Sequence, residues 1–260
     1  MTILDELAAY AKERVEKAKA IKPLYEIRDE AYSLPKGVLA FETALRKPGI
    51  SFICECKKAS PSKGIIAEDF PYLQIAAEYE AAGADAISVL TEPKWFLGSD
   101  EYLKEITSKV KIPVLRKDFT VDEYMLYEAK LLGAGAVLLI VSILSLEQLK
   151  EYMYICDEIG LAALVECHDE KEIDIALAAG ARVIGVNNRN LKDFSVDIEL
   201  GRKMRSYVPG DVAYVSESGV KDRADIVALK EIGADAVLIG ETMMRAPDKT
   251  AMMNMLRGLS

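Results

Sequence analysis

Histidine is nearly absent: the 260-residue chain has one, His168, and only four cysteines, Cys54, Cys56, Cys156 and Cys167. A His-rich metal centre is therefore excluded. Cys54-Glu55-Cys56 is C-x-C rather than C-x-x-C, and no second close pair completes a zinc site. Such cysteines read as small buried hydrophobes in a reducing compartment. His168 adjoins Asp169, a candidate helix N-cap, and reads as loop packing. Basic charge is in deficit too, with 33 Lys+Arg against 42 Asp+Glu and a net charge of −9. A chain this acidic lacks the basic field that nucleic acid or an anionic membrane demands, although local lysines still leave room for a small anionic substrate. Long apolar runs are missing. The longest, residues 134–144, is broken by Gly135 and Ser142 and is too short to span a bilayer. The first residues carry no basic segment followed by an apolar one, so no secretory signal is expected and the protein is assigned to the cytoplasm. The common phosphate fingerprints are absent as well. Gly133-Ala134-Gly135 lacks a third glycine, and no G-x-x-x-x-G-K-[ST] occurs.

What is present is a repeated phrase: Gly83-Ala84-Asp85-Ala86, Gly133-Ala134-Gly135-Ala136, Gly180-Ala181-Arg182-Val183 and Gly233-Ala234-Asp235-Ala236. Each closes an amphipathic helical stretch and opens a short apolar run, and each first glycine suits a helix C′ position that needs positive φ. The spacings of 50, 47 and 53 residues are about twice a compact βα unit. Further apolar runs start at Ile50, Ile112, Leu161 and Val212, giving eight short buried strands between about residues 50 and 240. Continuous apolar strands joined by helices imply a parallel sheet covered on both faces. Eight units in this length fit a single (β/α)8 barrel, the TIM-barrel class of α/β fold; a doubly wound sheet would need the missing fingerprint. Residues 1–48 read as an N-terminal helical extension packed on the barrel, with Leu4, Leu7, Ala8, Ala11 and Val15 as one apolar stripe and Pro23 after it. The pattern leaves open whether this extension covers a substrate or seals an end. Residues 49–260 form the barrel.

Active sites of such barrels lie at the carboxyl ends of the strands, so the residues that end each run are the ones that matter. The first run ends Glu55-Cys56-Lys57, whose two charges share a strand face. The third ends Arg116-Lys117-Asp118-Phe119, the fifth Val165-Glu166, the sixth Val186-Asn187, and the seventh Ser216-Glu217-Ser218-Gly219. Burying five charged or amide-bearing ends without a function is expensive, and lysines crowded with carboxylates suit general acid–base work. Ser218-Gly219 and Ile239-Gly240-Glu241 follow the last two strands, where backbone N–H groups and a helix N-terminus can meet a phosphate. Glu241 then contributes its N–H while its carboxylate turns away. Phe96, Phe119 and Leu191 are candidates for a wall against an aromatic ring.

These strand ends resemble those of the indole-3-glycerol phosphate synthase family. The resemblance rests on Glu55-Cys56-Lys57-Lys58-Ala59-Ser60-Pro61-Ser62, Leu90-Thr91-Glu92 with Phe96 and Gly98-Ser99, Leu115-Arg116-Lys117-Asp118-Phe119, Leu164-Val165-Glu166, residues 185–191, Glu217-Ser218-Gly219 and Ile239-Gly240-Glu241. It covers the whole barrel. It implies conversion of 1-(2-carboxyphenylamino)-1-deoxyribulose 5-phosphate to indole-3-glycerol phosphate, with loss of CO2 and water and with no metal or organic cofactor. It also implies a carboxy-lyase that takes this anthranilate-bearing sugar phosphate as its small-molecule partner; no nucleic acid or membrane is expected, a monomer is expected, and association with other enzymes of the pathway stays open.

By the same resemblance Lys117 is the general acid at the ribulose carbonyl and Glu166 the base of the later dehydration. Lys57 holds the substrate carboxylate, Glu55 and Asn187 orient the charged groups, and Glu217 and Ser218 complete the polar rim. Whether Lys57 or Lys117 is the acid in a given step stays open. Gly219, Gly240 and Glu241 take the phosphate, with Ser60 beside them and Arg189 as a positioning residue. Phe96, Phe119, Leu138, Leu191 and Leu238 enclose the ring. Cys54 and Cys56 depart from the larger apolar residues usual there, but alternation turns them outward. The rivals are a Schiff-base aldolase on the same fold, which commonly needs a lysine where Asn187 stands, and a non-catalytic phosphate-ligand binder.

Overall fold

The computed structural model describes residues 2–189 and 195–259. Each apolar run forms one strand: β1 Ser51–Cys56, β2 Ala86–Leu90, β3 Val114–Lys117, β4 Ala136–Ile140, β5 Ala162–Cys167, β6 Val183–Asn187, β7 Ala213–Glu217 and β8 Ala236–Ile239. Every strand pairs in parallel with the next, and β8 pairs with β1 to close the barrel. The repeated glycines do what their position requires. Gly83, Gly133, Gly180 and Gly233 have φ of 85°, 83°, 89° and 78°, a region costly for any residue with a Cβ. The chain can therefore leave a helix and enter a buried strand with only four residues between them.

The helices are α1 Ile3–Ile21, α2 Leu24–Ser33, α3 Ala40–Leu45, α4 Tyr72–Ala81, α5 Asp100–Lys109, α6 Tyr124–Leu131, α7 Leu146–Ile159, α8 Glu170–Ala178, α9 Ile198–Arg205, α10 Arg223–Glu231, α11 Glu241–Arg245 and α12 Lys249–Arg257. Asp169 caps α8 as expected, accepting from Glu172 N, and Ser145 and Asp222 build capping boxes on α7 and α10. A two-stranded hairpin, Ala59–Ser60 against Gly64–Ile65, follows β1 at the mouth. Among the described residues no helix is long and apolar enough to cross a membrane.

The extension reaches both ends of the barrel. Helix α1 buries Leu7, Ala11 and Val15 from its apolar stripe, and Ile3 and Leu7 line the cavity at the strand carboxyl ends. Arg14 anchors it by two hydrogen bonds, of 3.0 and 2.6 Å, to Asp118 just beyond β3, and Lys19 reaches Asp122 at 2.6 Å. Helix α3 lies at the opposite end, where Glu42 pairs with Arg182 immediately before β6 at 2.8 Å.

Candidate active site

The alternation of a strand sends successive residues to opposite sides. Thus Arg116 points into the helical layer, where Asp100 and Glu128 lie 2.7 and 2.6 Å from its guanidinium. Lys117 points into the barrel mouth. There its Nζ donates to Glu217 Oε2 at 2.5 Å and to Glu166 Oε2 at 3.2 Å. Glu166 and Glu217 are both buried. Burial would lower the Lys117 pKa, but Glu217 and Glu166 overcome it and hold the amine well above the usual lysine range, as ammonium. The two carboxylates are pushed apart. Burial raises both, yet Lys117 and His168 bring Glu166 well below the carboxylate range. Glu217, raised by burial and by the charge of Glu166 against the pull of Lys117, reaches about 7. Its Oε1 is buried without a hydrogen-bond partner and packs over Gly185, where a Cβ would fall 2.2 Å away.

Glu55 and Lys57 share the face expected of them, and their charges meet at 2.5 Å. Gly240 lies directly beneath: a Cβ there would sit 2.5 Å from Glu55 Oε2 and 2.8 Å from Lys57 Nζ. Its lack of a side chain makes room for this ion pair as well as for an approaching ligand. Asn187 bridges β6 and β7, its Oδ1 accepting from Ser218 Oγ at 3.0 Å and from Arg189 N at 3.1 Å. Ser218 and Gly219 have φ of 67° and 100°. That left-handed pair turns the chain sharply at the rim. Helix α11 begins at Glu241, whose carboxylate accepts from Arg245 at 3.0 Å. Lys63 of the hairpin, Lys221 and Arg245 line the same side of the mouth. Motif reading missed these three cations, because nothing in their local sequence separates them from solvated surface charges.

The opposite side is apolar. Phe96 and Phe119 lie with ring centroids 6.1 Å apart and tilted by 40°, and Leu138 and Leu238 line the same cavity, of about 660 Å³. Leu191 lies outside the described residues. Glu92, fully buried, fixes the loop that carries Phe96, its carboxylate accepting from the N–H groups of Lys94, Trp95 and Phe96 at 2.8, 2.7 and 2.9 Å. The cavity brings together Ser60, Arg189, Gly219 and Glu241 with the charged cluster, so each described candidate residue belongs to one site.

His168 corrects the sequence reading. It is not loop packing: Nε2 lies 3.2 Å from Glu166 Oε1, and Nδ1 lies 3.0 Å from Glu172 Oε2. The i,i+4 spacing to Glu172 on α8 was its sequence signal. Opposite charges are in direct contact, Lys57 with Glu55 and Lys117 with Glu166, beside the Glu217 carboxyl that burial raises to about 7. Such a set can give a proton on one side of a substrate and remove one on the other. Among the described residues no group of three His, Cys, Asp or Glu is placed to hold a metal ion.

The chain matches the family model described as indole-3-glycerol phosphate synthase over residues 4–256. It is 56% identical over 257 residues to the indole-3-glycerol phosphate synthase of Ruminiclostridium cellulolyticum, covering 98% of this chain and 99% of that protein. The Endomicrobium trichonymphae protein of the same name is 54% identical over 245 residues, covering 94% and 95% of the two chains. A solved 3-hexulose-6-phosphate synthase superimposes with a TM-score of 0.63 at 17% identity, over 81% of this chain and 100% of that one, a likeness of fold alone.

Proposed function

The chain belongs to the indole-3-glycerol phosphate synthase family, and we propose that it carries out the family's decarboxylating ring closure with Lys117 as acid and Glu166 as base. It is a carboxy-lyase of tryptophan biosynthesis acting on a small phosphate-bearing substrate. The substrate is 1-(2-carboxyphenylamino)-1-deoxyribulose 5-phosphate. The ring carbon that bears the carboxylate attacks the ribulose carbonyl carbon, and the carbonyl oxygen takes a proton from Lys117. CO2 then leaves, and its bonding electrons restore the aromatic ring. Finally the new hydroxyl takes a proton supplied by solvent and leaves as water, while Glu166 takes a proton from the adjacent carbon of the new ring. The sum consumes one proton, because a carboxylate charge departs as neutral CO2.

The observation that carries this reading is Lys117 Nζ hydrogen-bonded to two buried carboxylates at the mouth of the cavity. It supports an amine held as ammonium until an oxygen develops charge within reach. The 3.2 Å separation from Glu166 also provides a return path, since the proton taken in dehydration can pass back to Lys117. An amine held protonated is a poor Schiff-base nucleophile, which counts against an aldolase. Lys57 is suited to the substrate carboxylate, Glu55 and Glu217 to the positive charge that builds on the arene, and the Phe96–Phe119 wall to its ring. Backbone N–H groups around Gly219 and Gly240, with Lys63, Lys221 and Arg245 nearby, suit the phosphate.

Mixing the purified protein with this substrate in the presence of a chelator should produce a catalytic rise in indole fluorescence. Lys117→Gln should abolish the rise while still binding the reduced, alcohol form of the substrate. Binding without turnover by the unaltered protein would refute the catalytic reading.

A further inference from the structure

The reaction uses Glu166, but one oxygen of its carboxylate faces a group to which no role has been given. Lys117 meets Oε2. Oε1 faces His168 Nε2 at 3.2 Å, with Asn187 Nδ2 at 3.5 Å. On its other side His168 meets Glu172, which also accepts from the His168 backbone N–H at 2.7 Å. Side chain and main chain are thus held by one carboxylate in the first turn of α8. That helix is in turn fixed by Asp169, which caps Glu172 N at 2.9 Å.

We propose that His168 is a positioning residue for the reaction: an imidazolium clamped by Glu172 that orients the Glu166 carboxylate and keeps it ionised when Lys117 has given up its proton. The proposal deepens, and rests on, the reading of Glu166 as the base.

Three observations support it. First, the His168 Nε2 atom is buried and makes no well-directed hydrogen bond, yet the oxygen it faces belongs to the proposed base. Such a group acts mainly through charge. Second, its surroundings favour the cation. Burial would lower its pKa, but Glu166 and Glu172 overcome this and raise it to about 10. Facing the ring are Glu166 from β5 and Glu172 from α8; Lys117 from β3 meets the other oxygen of Glu166, and Asn187 from β6 shares Oε1 with His168 at 3.5 Å. Third, the chemistry creates a need. Once Lys117 has protonated the carbonyl oxygen it is a neutral amine, and Glu166 loses its inner cation just before it must act as a carboxylate. A second, permanent cation prevents Glu166 from taking the stray proton early, and fixes its orientation by a contact that the reaction does not consume.

The chain has a single histidine, so tag-free, 15N-labelled protein gives one imidazole pair by NMR. His168 should stay cationic through pH 8, and in Glu172→Gln its midpoint should fall by about one unit or more. In kinetics His168→Gln should lower kcat ten-fold or more, the order expected when a contact to a charged group is lost, with KM changed by no more than about two-fold. Its alkaline limb near pH 10 should disappear. In a Glu166→Gln background the same substitution should cost under about two-fold, because a residue acting through Glu166 has nothing left to position. Full kcat in His168→Gln, an imidazole titrating at its ordinary value, or an equal loss in both backgrounds would overturn the proposal. Full turnover by Glu166→Gln alone would instead refute the base assignment, so the two failures are distinguishable. If His168→Gln does not fold, the NMR titration and the kinetics of Glu172→Gln decide the matter.

Discussion

Gly185→Ala tests the proposed catalytic cluster without replacing any of its members. The added Cβ would stand 2.2 Å from Glu217 Oε1 and 3.1 Å from Leu164 Cδ1. Ordinary contact needs about 3.5 Å, so the carboxylate must retreat by about 1 Å. Leu164 is wholly buried in the barrel and cannot give way. The retreat separates Glu217 from Lys117, whose contact is 2.5 Å. A displacement of about 1 Å in a catalytic group costs on the order of a hundred-fold in rate, against roughly 1–3 kcal/mol in stability for the overpacking. The assay is kcat from the indole fluorescence rise, with urea denaturation to confirm folding. Adding Glu217→Asp should restore part of the lost rate, because the shorter side chain clears the new methyl. A folded Gly185→Ala enzyme with kcat within about two-fold of the parent would show that the Lys117–Glu217 contact is dispensable, and the reasoning would fail.

Glu217 is buried and raised from 4.5 to about 7, so the associated stability is complete below pH 4.5 and is lost as pH rises through about 7. The stability of Glu217→Gln relative to the parent should therefore climb over that window by up to about 3 kcal/mol, read from urea melts at pH 5 and pH 8; a constant difference would contradict the shift. Glu92→Ala frees three backbone N–H groups of the loop carrying Phe96, and KM should rise about ten-fold while kcat changes less. Should KM stay put, Phe96 is not part of the ring pocket. Arg14→Met removes the bidentate partner of Asp118, whose side chain is 1% exposed. Unfolding should become easier by about 3 kcal/mol, and a loss under about 1 kcal/mol would mean that Arg116 or water compensates.

The barrel was legible because its signals are local and repeated. A helix that ends on a positive-φ glycine and is followed at once by an apolar run needs no partner information to be recognised. Strand-end chemistry was legible for the same reason: Glu55, Lys57, Lys117, Glu166, Asn187 and Glu217 each follow an apolar run, and the barrel supplies the convergence. What stayed hidden depends on distances between remote segments. Arg14 and Asp118 are 104 residues apart in sequence, so the docking of α1 over the mouth could not be read from either one. Lys63, Lys221 and Arg245 look like any exposed cation until the loops are placed. Gly240 reads in the sequence as a point of phosphate approach, and it is the fold that also rests the Glu55–Lys57 pair on it. His168 was misread because loneliness in a sequence says nothing about the two carboxylates that fold places around it.

The tripeptide Arg116-Lys117-Asp118 shows how one short sequence serves both stability and chemistry. Strand alternation turns the outer two residues to the helical layer and the middle one to the mouth. Thr91 joins the outer pair, accepting from Arg116 Nε at 3.3 Å and donating to Asp118 at 2.6 Å. Arg116 ties β3 to Asp100 at the start of α5 and to Glu128 on α6, and Asp118 ties it to α1. Three helices thereby clamp the backbone on either side of Lys117. A long, flexible lysine has much rotamer freedom to lose, and a proton donor must already be in place when charge develops. The clamp fixes the root of the side chain, and Glu166 and Glu217 fix its tip. Arg116 and Asp118 thus hold the proposed acid in position through their contacts with the helical layer. The buried ion pairs cost desolvation energy that an apolar packing would avoid, and in return they hold the ammonium proposed as the acid at the mouth of the cavity.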